Sequence, residues 1–381
     1  MPHPFLGLGF SSWSQKFSRG NVPAAVAAFL EYVTTSVSSF TLLSTGTVNY
    51  EVDWGDGTTE SLTTNNPTHT YSSAGEYTIK VTPAKGSTYR PYFNNAVSDT
   101  SIASVSGTGG SQLGTTLSDA WEGAVYMTSF GGDMDTSAVT NFNYTWSNAF
   151  ALTSFPLLDT SSGTFFSNTW RSNSSLTSFP LLDTSSGMNF TSAWNGCSSL
   201  TSFPLIDTSS GTNFSFCWFG CSSLTSFPLI NTSSGTSFNS SWRNCSSLTS
   251  FPLIDTSGGT NFAFCWMGAS SLTSFPSCDF SSATTVTHAW YNNFSLTTFP
   301  ANMFDTMGTL ASNAFGQTWL NCALTAQSIE NILVSLDTNG ASNISLNING
   351  GNNAAKTTWS AAANTAYNNL ITKGWTISYN A

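Results

Sequence analysis

Seven tryptophans, Trp146, Trp170, Trp194, Trp218, Trp242, Trp266 and Trp290, recur every 24 residues. Phe155, Phe179, Phe203, Phe227, Phe251, Phe275 and Phe299 keep the same interval, each followed by a proline from Pro156 to Pro300, and Leu152 to Leu296 form a third column. Three columns in register over seven copies describe a repeat architecture, in which one unit cannot cover its own apolar face and needs a neighbour. Any fold for this chain has to stack these units.

The unit around Trp218 reads in three pieces. Phe214, Cys217, Trp218 and Cys221 lie at i, i+3, i+4 and i+7, the spacing of one face of a short helical turn. Leu224, Phe227 and Leu229 follow as L-x-x-F-x-L, the strand pattern of a leucine-rich repeat. Asn231-Thr-Ser-Ser-Gly235 then predicts a turn, the asparagine bonding backbone and the glycine taking positive φ. Proline cannot donate to a ladder, so very short strands are expected, with the proline outward. Small Cys197, Cys221, Cys245 and Ala269 share a column where the helical turn crowds the strand. The seven cysteines read as buried small residues rather than a disulfide framework.

Composition bears on the surface. Charged residues make up 7% of the 381 and aromatics 14%, so Ser, Thr and Asn must keep the outside wet. Net charge is −10 with nine Lys and Arg, which leaves no basic stripe for nucleic acid or anionic membrane. No apolar run is long enough to span a bilayer, so direct membrane insertion is not expected. The start, Met1-Pro2-His3-Pro4, has no basic region leading into an apolar run. The expectation is a removed signal, or exit by another route such as the lysis that releases a phage particle.

Cys-Ser-Ser-Leu-Thr-Ser-Phe-Pro-Leu-Ile-Asp-Thr-Ser at Cys197 to Ser209 resembles the short leucine-rich repeats of BspA-like bacterial surface proteins. The resemblance covers about Trp121 to Met303. It departs in placing Trp where that family has Met-Phe, and proline after the strand aromatic. A second resemblance lies upstream. Val52-Asp53-Trp54-Gly55-Asp56-Gly57-Thr58, then His69-Thr70-Tyr71, then Gly75-Glu76-Tyr77-Thr78-Ile79-Lys80-Val81, is similar to a PKD domain. That likeness implies an immunoglobulin-like β-sandwich used as a spacer, with His69 structural.

Downstream, Ile329, Ile332, Leu333 and Leu336 predict a helix capped by Ser328 or Thr325 and stopped at Asn339-Gly340. Asn343 to Ile348 alternates as a strand, Ala363, Ala366, Tyr367 and Leu370 form a second helix face, and Trp375 to Tyr379 a last strand. The fold class expected is mainly β. It has an N-terminal PKD-like β-sandwich (38–95) behind an N-terminal segment suited to an anchor or an added strand (1–37). A leucine-rich-repeat-type solenoid of 24-residue coils follows (96–320, regular over 142–303), closed by an α/β C-terminal cap (321–381).

Signs of chemistry are sparse. His3, His69 and His288 have no Cys or carboxylate at a zinc spacing, and no HExxH, GxSxG or P-loop is present. The chain is expected to be no enzyme and to need no cofactor. Asp159, Asp183, Asp207, Asn231, Asp255 and Asp279 form a turn column. One reading makes Asp183, Asp207 and Asp255 calcium ligands, since carboxylates stacked ~5 Å apart call for a counter-charge. The other makes them Asx caps bonding the following amides, a role Asn231 fills equally well. The candidate binding face is the outward side of the strands: Ser202, Pro204 and Ile206, then Ser226, Pro228 and Ile230, then Ser250, Pro252 and Ile254. Such a flat, uncharged strip suits a glycan or a partner subunit. The function expected is a non-enzymatic structural or adhesion protein on a virion surface, of tailed-phage type, contacting other virion proteins and a host glycan or protein. The alternative is an extracellular bacterial cell-surface adhesin of the BspA-like type.

Overall fold

The computed structural model describes residues 29–85, 87, 89–93 and 101–381. Alternating apolar residues give the N-terminal strands one buried face each, as with Leu30 and Tyr32, or Ile79 and Val81. These strands are β1 (Phe29–Thr34), β2 (Val37–Thr41), β3 (Tyr50–Asp53), β4 (Thr59–Leu62), β5 (Thr68–Gly75) and β6 (Thr78–Pro83). With β7 (Ile102–Gln112) and β8 (Ser129–Asp135) they form a six-stranded sheet in the order β4-β3-β6-β1-β7-β8, while β2 pairs with β5. β1 lies between β6 and β7, antiparallel to both, so the β domain starts before residue 38. β1 lies inside the segment 1–37, for which an anchor or an added strand was expected. The remainder of that expected segment, residues 1–28, lies outside the described residues.

The upstream motif folds into one knot of contacts. Asp53 and Asp56 accept from the amides of Gly55 (3.0 Å) and Thr58 (2.9 Å), closing the turn. His69 Nε2 meets Asp56 Oδ2 at 2.8 Å while its ring stacks on Trp54 at 5.0 Å. The hydrogen bond from His69 draws the Asp56 carboxyl down to about 2. Tyr71 donates to the Trp54 carbonyl (3.0 Å) and stacks on Tyr77. Gly55 has φ +81, and a Cβ there would lie 2.5 Å from the Thr78 carbonyl oxygen. Asp53, Trp54, Gly55, Asp56, His69, Tyr71 and Tyr77 of the motif thus each close a turn or fill a contact.

The repeat region grows directly out of this sheet, because β7 pairs with β1 on one side and, in parallel, with β8 on the other. Isolated parallel bridges then step by 24 residues, from Asn141 to Phe165, Asn189, Asn213, Ser237, Asn261 and Thr285. Tryptophan rings from Trp121 to Trp319 stack face to face, neighbours 5.1–5.9 Å apart. The Phe155 column stacks beside them with its rings turned nearly perpendicular, as for Trp218 and Phe227 at 4.8 Å and 74°. A third column of stacked rings runs from Phe142 to Phe262. Each buried indole withdraws roughly 150–250 Å² from water. The indole N–H groups from Trp146 to Trp319 have no oxygen or nitrogen acceptor among the described residues, and perpendicular phenylalanine rings pack beside the indoles.

The expected helical turn takes a different form. Phe214, Cys217, Trp218 and Cys221 are fully buried at the expected spacing. The backbone, however, is a ribbon of turns. Amides of Cys217, Phe219 and Cys221 donate three residues back, to Phe214, Phe216 and Trp218. Those of Phe214, Phe216, Trp218 and Gly220 leave the coil and donate to Ser237, Asn239, Ser241 and Arg243 of the next, at 2.8–2.9 Å. Left-handed residues at Phe216 (φ 57) and Gly220 (φ 72) turn the alternate amides outward. Gly235 is also not the positive-φ residue expected. It is small because a Cβ would lie 2.5 Å from Phe238 Cζ.

At the C-terminal end the coil is enlarged by helices. α1 (Ala326–Asn339) starts at the Thr325 side-chain cap and stops at left-handed Gly340. β9 (Ser345–Ile348), α2 (Ala361–Thr372) and β10 (Thr376–Tyr379) follow, with β10 parallel to β9. Leu346 of β9 bridges to Phe315, so the same ladder runs on into this unit. Ser328 and Asn331 of α1 bond the Phe299 amide and carbonyl (3.0 and 2.9 Å), covering polar backbone of the last coil. The protein is mainly β with few helices, none among the described residues long and apolar enough to cross a membrane.

Candidate binding faces of the repeat region

Each coil shows two faces to solvent. On the Leu-Thr-Ser-Phe-Pro side, one backbone bond per coil links neighbours through most of the stack, as from the Thr225 amide to the Thr201 carbonyl (3.3 Å). The threonine hydroxyls repeat that link, Thr225 Oγ1 donating to Thr201 O at 3.4 Å. Proline at each rung has no amide to donate, and no continuous strand forms. Ser202, Ser226 and Ser250 are exposed there and Pro204, Pro228 and Pro252 half-buried, as an outward face requires.

Ile206, Ile230 and Ile254 do not belong to that face. Each is 2% exposed, while Leu229, expected to point inward, is 62% exposed. The Ile230 amide donates to the Pro228 carbonyl two residues back, at 3.0 Å, and Ile206 and Ile254 do likewise to Pro204 and Pro252. This i→i+2 turn breaks the strand alternation just after proline. The outer column is therefore Leu157, Leu181, Leu205, Leu229 and Leu253, five large apolar side chains standing in solvent.

The turn column acts on backbone. Asp183, Asp207 and Asp255 each accept the amide of the serine two residues on, Ser185, Ser209 and Ser257, at 2.9–3.1 Å. Asn231 does the same for Ser233. The Ser257 hydroxyl and amide hold the Asp255 carboxyl below the usual carboxylate range. Among the described residues no three His, Cys, Asp or Glu gather as a metal site. The threonine after each of these residues is buried and donates to the next coil, as Thr184 Oγ1 does to Asp207 O at 2.6 Å. The cysteines serve the ladder too. Cys197, Cys221 and Cys245 donate to carbonyls of Trp170, Trp194 and Trp218 at 3.2–3.3 Å. Burial pushes the Cys197 and Cys245 thiols up to about 12, which leaves negligible thiolate at neutral pH.

The ribbon side holds a feature that column reading passed over. Its left-handed position before each tryptophan carries Asn168, Ser192 and Ser240 in some coils, residues that tolerate such a backbone. Phe216, Phe264 and His288 occupy it in others (φ 56–59), where bulky side chains are unfavoured. One position after the tryptophan stand Phe219, Arg243 and Tyr291. The Arg243 guanidinium lies 5.4 Å from the ring centres of both Phe219 and Phe264, and Phe264 stacks on His288 at 4.7 Å. Burial, with Arg243 as a smaller cause, holds the His288 imidazole below its ordinary value. Both columns vary from coil to coil, with Tyr144 also at the left-handed position and Arg171 and Met267 also after the tryptophan.

No curated protein matches the chain. Residues 23–89 match the family model of the PKD domain, the stretch that contains the knot of Trp54, Asp56, His69 and Tyr71.

Proposed function

We propose that the repeat region is a leucine-rich-repeat-type solenoid of the BspA-like kind. On this reading the protein is a non-enzymatic structural and adhesion component of a virion surface, of tailed-phage type. The observation that carries the proposal is the stack of aromatic rings from Trp121 to Trp319, joined to a PKD-type β domain at one end and an α/β unit at the other. Its polar groups serve to hold rung to rung, and its outside is rich in hydroxyls and poor in charge. Such a molecule supplies length and surface rather than a reaction. Its partners are other particle proteins and a host surface glycan or protein.

Antibody-gold labelling of purified particles tests this. Label on the particle, with competition of host attachment by the purified protein, is the expected result. Label restricted to the envelope of bacteria that release no particles would replace it with the cell-surface adhesin. Release of sugars from host polysaccharide by the purified protein would remove the non-enzymatic reading.

A further inference from the structure

The outer leucine row is more than the turn after proline requires. Leu157, Leu181, Leu205, Leu229 and Leu253 are each 60–63% exposed. In the next coil the Cys278 amide makes the same two-residue bond, to the Pro276 carbonyl at 2.9 Å, and exposed Ser277 holds the outer place. A serine there leaves the turn intact, so packing within the chain does not call for leucine in the five coils before it. Single surface leucines need no explanation, whereas a continuous apolar row marks a surface that meets something.

Pitch and area bear on what that is. The row follows the tryptophan steps of 5.1–5.9 Å, so its five leucines span about 22 Å. The whole face runs from Thr153 to Thr297 along the stack, about 33 Å. Across the stack, from Thr153 to Asp159, it is roughly 20 Å wide. Such a face approaches the ~800 Å² that each partner gives a standard interface. Ladders of identical side chains close into a dry seam against a ladder of the same step, and a second copy supplies one.

The polar rows on either side choose the orientation. Past the leucines, exposed Asp159, Asp183, Asp207 and Asp255 present carboxylates, which accept hydrogen bonds. Before them, the exposed serines from Ser154 to Ser250 carry hydroxyls able to donate. Turning a second copy about an axis parallel to the stack sets each aspartate row against the partner's serine row. The two aspartate rows then lie on opposite edges. Turning it end for end would set aspartate against aspartate, in a chain of net charge −10.

We propose that the leucine row is the seam of a parallel twofold homodimer, with both N-terminal domains at the same end. The inference goes beyond the adhesion reading and does not depend on it. Particle labelling tests one and the state of the purified chain tests the other, so each can fail alone.

Sedimentation velocity of the full chain across micromolar concentrations should show a monomer–dimer equilibrium. Leu205→Ser, which copies Ser277, should weaken the dimer about tenfold, and the same change made together at Leu181, Leu205 and Leu229 at least about a hundredfold. Phe216→Ser on the ribbon side, which copies Ser192 and Ser240, should leave the equilibrium unchanged. Cooperative melts at high dilution will establish that the variants fold. Orientation is read by oxidising Leu157→Cys and Leu253→Cys separately, the seven native cysteines being buried. A parallel seam brings like ends together, so each alone should give a disulfide-linked dimer. A monomer throughout, a trimer, a dimer indifferent to the leucine changes, or cross-links formed only on mixing the two cysteine variants would each overturn the proposal.

Discussion

α1 and the ribbon around Trp218 bury side chains at the same spacing: Ile329, Ile332, Leu333 and Leu336 in the helix, Phe214, Cys217, Trp218 and Cys221 in the ribbon. Their backbones are satisfied differently. In α1 the amides bond four residues back, as Ile329 does to Thr325 at 3.0 Å, so the helix completes its own ladder. In the ribbon every second amide crosses to the next coil. A helix owns its hydrogen bonds and needs neighbours only for its apolar face. The ribbon needs neighbours for both, so a coil taken alone has neither a core nor a backbone ladder.

The hardest test of that contrast is Trp218→Ala. It should cost about 3–5 kcal/mol in urea unfolding, since the ring is shared with the coils on either side. A loss below about 1 kcal/mol would mean that the rings do not hold the rungs. Next come Gly220→Ala and Val334→Ala, which should have opposite signs. A Cβ at Gly220 meets nothing closer than 3.9 Å, so the cost, about 1–2 kcal/mol, comes from its left-handed φ alone. At exposed Val334 in α1, alanine should add about 0.5 kcal/mol through helix propensity. Equal signs in thermal melts would erase the distinction between ribbon and helix.

Thr325→Ala, which removes the α1 cap, should cost about 1 kcal/mol. Asn213→Ala removes the Asx bond to the Ser215 amide and should cost less, because the next coil still holds that backbone. The smallest effect is expected from Asp255→Asn, which copies Asn231. The Asp255 carboxyl titrates lower in the folded chain than in the unfolded one, so its contribution is present above roughly pH 3.9 and is lost as pH falls through the lowered folded value. Melting temperature followed downward from pH 5 should therefore fall less steeply in the variant than in wild type.

The columns themselves were legible from sequence, because burying Trp, Phe and Leu at one interval leaves few alternatives to stacking. So was α1, although Ser328 and Thr325 were both open as its cap; the stacking of His69 on Trp54 was not. The ribbon was not, because i, i+3, i+4, i+7 reports which side chains are inside and is silent on where the amides go. The exchange of Leu229 for Ile230 was hidden for a related reason. Both are apolar, and only the two-residue bond to the Pro228 carbonyl decides which one turns in. Gly235 suggested a turn residue by habit, whereas its constraint is the Phe238 ring lying against it. At the ribbon face, Phe264 and Arg243 could be noticed singly, but their contact across coils needed three dimensions.

The shared sheet has a mechanical consequence. Because β1 is hydrogen-bonded to β7, and β7 to β8, the described strands of the N-terminal domain and the first rung share one sheet. Swinging one against the other would require tearing backbone bonds. Whatever anchors the domain therefore also sets the direction in which the stack projects, and a load at its far end arrives at the anchor as leverage instead of being dissipated in a hinge.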